Sequence, residues 1–108
     1  MHLYLDEELK KAKSEQDAIA AIKRAYDRVE KDYYDIAKAS FEGGFAKAAY
    51  VGSCAMVSVV WNNKLFVANA GDCKAVLLRR KSEEEYQGIK CSNVHSANVS
   101  SEQERLKA

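Results

Sequence analysis

The sequence contains no proline and only five glycines. Without proline, collagen-like and polyproline readings fail. No apolar run approaches the roughly 20 residues that a membrane-spanning helix needs, and Met1-His2-Leu3 does not open a secretory signal. We therefore expect no membrane partner, and an intracellular, cytoplasmic protein. An excess of charge of one sign is missing as well: 17 Lys/Arg against 16 Asp/Glu leave a net charge of +1. Residues 1–50 carry 9 basic and 10 acidic side chains, and residues 51–108 carry 8 and 6. Neither part has the one-sided basic surface that counterion release requires, so no nucleic-acid partner is expected. The tightest basic cluster, Arg79-Arg80-Lys81, is followed by Glu83-Glu84-Glu85 and reads as a solvated, self-neutralising loop.

Cysteine is scarce and odd in number. Cys54, Cys73 and Cys91 show no CxxC or CxH spacing, which excludes a zinc knuckle and a thioredoxin-like pair. Three reduced, partly buried thiols are the expectation. Cys91 and His95, four apart, supply only two of the four ligands a structural metal site needs, with His2 the one histidine left over, so no metal site is read there. A nucleophile built from one thiol and His95 has no identifiable orienting acid. The chain also lacks a P-loop, a GxSxG elbow and an HExxH helix.

What the chain does have is alanine, 16 of its 51 apolar residues, against 23 Leu, Ile, Val and Phe. Its 108 residues sit near the common domain size, so one domain is expected. Ser14-Glu15-Gln16-Asp17 has the form of a capping box. Behind it, Ile19, Ile22, Tyr26, Val29, Tyr33 and Ile36 recur at helical spacing, which predicts an amphipathic helix over 15–41 with that stripe buried. Residues 1–13 read as a short helix before it, and Gly43-Gly44 as its terminator.

From Gly52 the apolar period becomes two. Residues 52–61, 64–70 and 74–80 read as three strands of an antiparallel meander, turned at Asn62-Asn63 and at Gly71-Asp72. Residues 81–88 read as a polar loop, 89–92 as a short strand, and Ser101-Glu102-Gln103-Glu104 as a second capping box opening a final helix. The fold class is α+β: a helical part (1–50), a three-stranded meander (51–80) and a loop, short strand and helix start (81–108). The strands are apolar on both faces, so the sheet expects cover on both sides, from a partner chain or a homodimer.

One stretch carries chemistry. Gly52-Ser53-Cys54-Ala55, then the hairpin, then Val67-Ala68-Asn69-Ala70-Gly71-Asp72-Cys73-Lys74-Ala75-Val76-Leu77 resembles two consecutive motifs of the type-2C metal-dependent protein serine/threonine phosphatases. Those motifs are a Gly-Ser-Thr-Ala strand opening and a Val-Ala-Asn-x-Gly-Asp-Ser-Arg-Ala-Val-Leu block. His95 with Glu102, Arg105 and Leu106 is similar to the stretch that follows them. The departures are Cys54 for Thr, Cys73 for Ser, Lys74 for Arg and Val94 for Asp.

The resemblance implies a partial version of the phosphatase α-β-β-α sandwich. It implies hydrolysis of phosphoserine and phosphothreonine in a phosphoprotein substrate by water activated on Mg²⁺ or Mn²⁺. The family's main ligand motifs do not occur in this sequence, so no catalytic residue is assigned. Asp72 is similar to a ligand of an accessory metal site, and Gly52, Ser53 and Gly71 are motif residues of structural type. The expected function is a phosphatase fragment, inactive as this isolated chain. The alternative is a non-catalytic, pseudophosphatase-like protein-binding module.

Overall fold

The computed structural model describes residues 1–108 as two compact units, Met1–Gly52 and Ser53–Ala108. The first holds helix α1 (His2–Leu9), helix α2 (Glu15–Glu42) and a short 3₁₀ helix, Ala46–Tyr50. The second holds strands β1 (Ala55–Trp61), β2 (Lys64–Ala70), β3 (Val76–Arg80) and β4 (Tyr86–Lys90), then helix α3 (Ser100–Lys107). The α+β class is borne out.

Helix α2 begins where its chemistry says it should. The Asp17 amide donates to Ser14 Oγ (3.1 Å), and Asp17 Oδ2 accepts from the amides of Ser14 (3.0 Å) and Lys13 (3.1 Å). The capping box thus satisfies amides that the first turn leaves without partners. At the other end, the Gly44 amide bonds Phe41 O (3.0 Å) and the Phe45 amide bonds Ser40 O (2.8 Å). This is the Schellman pair, and Gly44 supplies the left-handed residue it needs at φ 88°.

The buried face of α2 is narrower than the spacing predicts. Ala18, Ala21, Ile22, Ala25 and Ala37 are buried, while Tyr33 and Ile36 are exposed. Alanine sets the seam where α1 lies against α2, a contact that also buries Leu5 and Glu8. Beyond α1, Ile36 has nothing to cover it within this unit. Tyr33 instead turns its hydroxyl to the 3₁₀ segment, lying 2.9 Å from Ala48 O and 2.8 Å from Val51 O.

In the second unit β1 and β2 form a hairpin, Ala55 pairing with Ala70 through to Trp61 with Lys64. Asn62 (φ 49°) and Asn63 (φ 58°) make the turn, both left-handed, as a type I′ hairpin demands. Trp61 meets Phe66 edge to face at 6.4 Å.

The meander is corrected. Strand β3 pairs with β4, not with β2, giving two separate two-stranded sheets. Gly71, at φ 116°, turns the chain out of the hairpin. The arm that follows bonds to residues 91–95: the Cys91 amide donates to Ala75 O (2.9 Å) and the His95 amide to Gly71 O (2.9 Å). Val76 opposite Lys90 continues the same register into β3 and β4. The expected loop over 81–88 therefore contains the start of β4 at Tyr86. The turn itself is polar as expected, closed by Lys81 N–H to Glu85 O (2.8 Å) and by a Lys81–Glu85 ion pair at 3.6 Å.

The second capping box is also corrected. Helix α3 opens two residues earlier, with Val99 rather than Ser101 at the cap position and no side-chain cap. Glu102 and Gln103 donate their amides to Val99 O at 3.0 Å, and Gln103 Nε2 reaches back to Ala97 O (2.7 Å).

Candidate functional site

The site grows from the end of the β1–β2 ladder. Ala55 and Ala70 form its last rung, so Cys54 and Gly71 lie just beyond it on the two strands. A Cβ built on Gly71 would stand 2.4 Å from Cys54 Sγ and 2.8 Å from Cys54 Cβ. The absence of a side chain at 71 is what lets the Cys54 thiol settle there. Its Sγ donates to Asp72 Oδ1 at 3.1 Å.

Cys73 completes a group: ligand atoms of Cys54, Asp72 and Cys73 all lie within 4.8 Å of one another. Cys54 and Asp72 are exposed and Cys73 is half-buried. The Asp72 backbone draws the Cys54 thiol down, but its carboxylate, some loss of solvation and the neighbouring Cys73 outweigh that and leave the thiol raised.

A second layer fixes the turn. The Gly71 amide donates to His95 Nδ1 (3.2 Å), and the Ala75 amide donates to Ser92 Oγ (2.8 Å). In an antiparallel ladder a backbone carbonyl would take each of these bonds; here a side chain does. Asn69, in β2, donates through Nδ2 to Gly71 O (2.9 Å) and Asn93 O (2.7 Å). Its Oδ1 is buried without a partner. On α3, Arg105 grips Glu102 through Nη2 at 2.8 Å and Nε at 3.0 Å, holding that carboxyl below its ordinary range.

Of the residues singled out in sequence, the structure brings Gly71 and Asp72 together with Cys54. Gly52 and Ser53 lie exposed before β1; no atom stands within 4 Å of a Cβ built on Gly52, and Ser53 Oγ bonds Cys54 O (3.1 Å). Cys91 and His95 each have other partners: Cys91 Sγ donates to Ile89 O (3.3 Å), and His95 turns Nδ1 to the Gly71 amide. The same bond removes His95 as the base of a thiol nucleophile through that nitrogen. The convergence of two thiols on Asp72, and the roles of Asn69 and Ser92, were not read from sequence. The hairpin register, which sets Cys54 opposite Gly71, is the signal that held the first of these.

The family model described as protein phosphatase 2C matches residues 1–108. "Probable protein phosphatase 2C 64" of Arabidopsis thaliana is 35% identical over 103 residues, covering 93% of this chain and 26% of that protein. "Probable protein phosphatase 2C 78" of Oryza sativa subsp. japonica is 39% identical over 95 residues, covering 85% of this chain and 24% of that protein. The chain thus spans about a quarter of the length of these curated relatives. No solved structure matches it.

Proposed function

Because the chain belongs to the protein phosphatase 2C family, we propose that it is a segment of a protein serine/threonine phosphatase domain and that its 108 residues do not hydrolyse phosphoprotein by themselves. Metal-dependent chemistry in such a domain uses hard cations, Mg²⁺ or Mn²⁺, which bind oxygen ligands and activate water for attack on phosphorus. The observation that carries the reading is the Gly71-Asp72 turn. It offers one carboxylate, already bonded to a thiol and flanked by a second. That donor set does not fit a pair of hard cations, and no catalytic step is assigned to it. Asp72 acts here as a turn residue that anchors Cys54. No helix is long and apolar enough to cross a membrane.

The test is turnover of p-nitrophenyl phosphate by the purified chain in millimolar Mn²⁺. No chelator-sensitive turnover is expected; robust turnover overturns the reading.

A second reading, a non-catalytic module that binds a partner or a second copy, draws on exposed apolar side chains. Ile36 is 64% exposed, Val60 77% and Leu78 67%. Surfaces of this kind mark interaction sites when they are contiguous. Light scattering on the eluting chain decides it: a dimer or larger species supports the module, and a monodisperse monomer that captures no second copy removes self-association.

A further inference from the structure

We infer that Cys54, Cys73 and Asp72 form a binding site for a single thiophilic divalent cation of the zinc class, with water as a fourth ligand. The inference is independent of the phosphatase reading, because it needs only these three side chains and the turn that gathers them.

The geometry is close to what such an ion requires. With Zn–S bonds near 2.3 Å, a tetrahedral ion sets its sulfur ligands about 3.8 Å apart. The two sulfurs and the carboxylate oxygen already lie within 4.8 Å of one another, so closing on an ion needs a shift of about 1 Å in flexible side chains. The ligands come from the two chain segments that flank the open end of the β1–β2 ladder, whose register is fixed. Cys54 follows from the Ala55–Ala70 rung, and Asp72 and Cys73 from the turn pinned by the His95–Gly71 bonds. Gly71 keeps the space between them open.

The donor chemistry selects the metal. Two thiols and one carboxylate suit zinc and disfavour magnesium and manganese, which prefer all-oxygen shells. Three protein ligands with an exposed face are the pattern of an open zinc position rather than a closed structural one. Binding would break the Cys54–Asp72 hydrogen bond and release both thiol protons, leaving two thiolates and a carboxylate on the dication. The two cysteines are also where the chain departs from the Thr and Ser of the motifs it resembles. The departure converts an oxygen-donor neighbourhood into a sulfur-donor one.

The full chain, reduced and handled without oxygen, is titrated with Co²⁺ as a spectroscopic probe and then with Zn²⁺ in competition. One equivalent of Co²⁺ should give a thiolate-to-metal charge-transfer band, which Zn²⁺ displaces and Mn²⁺ does not. Zinc should bind at least about a hundredfold more tightly than manganese. Cys73→Ser should remove most of the band and weaken zinc about tenfold or more, whereas Cys91→Ser should leave both unchanged. Cys54→Ser should act like Cys73→Ser; because Cys54 packs on Gly71, the Cys73 variant is decisive if the Cys54 variant does not fold. Cobalt binding without the band, equal loss in Cys91→Ser, or manganese competing as well as zinc would overturn the assignment.

Discussion

His95 and Gly71 are joined by two hydrogen bonds, one from backbone to backbone and one in which an imidazole stands in for a carbonyl. The His95 amide donates to Gly71 O at 2.9 Å, and the Gly71 amide donates to His95 Nδ1 at 3.2 Å. Stepping five residues back from Val76 and five forward from Lys90 reaches the same pair, so it is the far end of the β3–β4 register. The ladder lapses over Asp72–Lys74 and is re-formed at its end by a side chain. His95→Ala should leave the Gly71 amide unpaired and cost about 0.5–1.5 kcal/mol. His95→Asn, whose side-chain oxygen reaches a similar point, should restore most of it. Amide exchange at Gly71, faster in the Ala variant than in the Asn variant, checks the assignment.

Three glycines should rank differently under substitution by alanine. Gly71→Ala meets Cys54 Sγ at 2.4 Å and keeps φ 116°, so strain and overpacking together should cost about 2–4 kcal/mol. Gly44→Ala has φ 88° but open space, and should cost about 1 kcal/mol. Gly52→Ala has neither constraint and should be neutral or stabilising by up to about 0.5 kcal/mol. Urea unfolding followed by Trp61 fluorescence for residues 52 and 71, and by helical circular dichroism for residue 44, tests the order.

The β1–β2 turn should respond to its second residue. Asn63→Gly relieves a left-handed residue of its side chain and should stabilise the hairpin by about 0.5–1 kcal/mol. Asn62→Val should cost about 1–2 kcal/mol, since a β-branched residue resists positive φ. Both changes should move the Trp61 unfolding midpoint, in opposite directions.

Acid should loosen the helical unit. Arg24 Nε sits 2.7 Å from Glu8 Oε2 and Arg28 Nη1 3.2 Å from Oε1, with Arg24 the main cause that lowers the Glu8 pKa. The Lys13 amide, then Ser14, lower that of Asp17. Both groups bind protons more weakly folded than unfolded, so their stabilisation is complete above the unfolded carboxylate range. It is lost as pH falls from about 4 through the depressed native values. A urea midpoint for helical signal that is flat from pH 7 to 5 and falls below pH 4 is expected. Glu8→Gln should flatten part of that fall; an unchanged acid limb would contradict the assignment.

How much of this was legible varied with the range of the interaction. The start of α2, its Schellman end and the Asn62-Asn63 turn are local, and Ser14, Asp17, Gly44 and the asparagines announce them within a few residues. The choice of partner for β3 was not legible. Val76, Leu77 and Leu78 fit a strand against either neighbour, and the decision lies with Ser92 and His95, 17 and 24 residues from the amides they bind. The α2 stripe failed at Tyr33 and Ile36 because periodicity marks an apolar face without saying how far along the helix a partner extends. At the site, the motif pointed to Gly71 and Asp72, while the gathering of Cys54 and Cys73 around Asp72 follows from register and from the missing Cβ at Gly71.

The alanine seam of α2 has a thermal consequence. Ala18, Ala21 and Ala25 are wholly covered, yet each withdraws little more than a methyl group from water. The heat-capacity change on unfolding scales with the apolar area exposed. Melting Met1–Gly52 should therefore give a shallow heat-capacity step for its length and a weak dependence on urea. A small heat-capacity change flattens the stability curve, so the stability of the helix pair should vary gently with temperature.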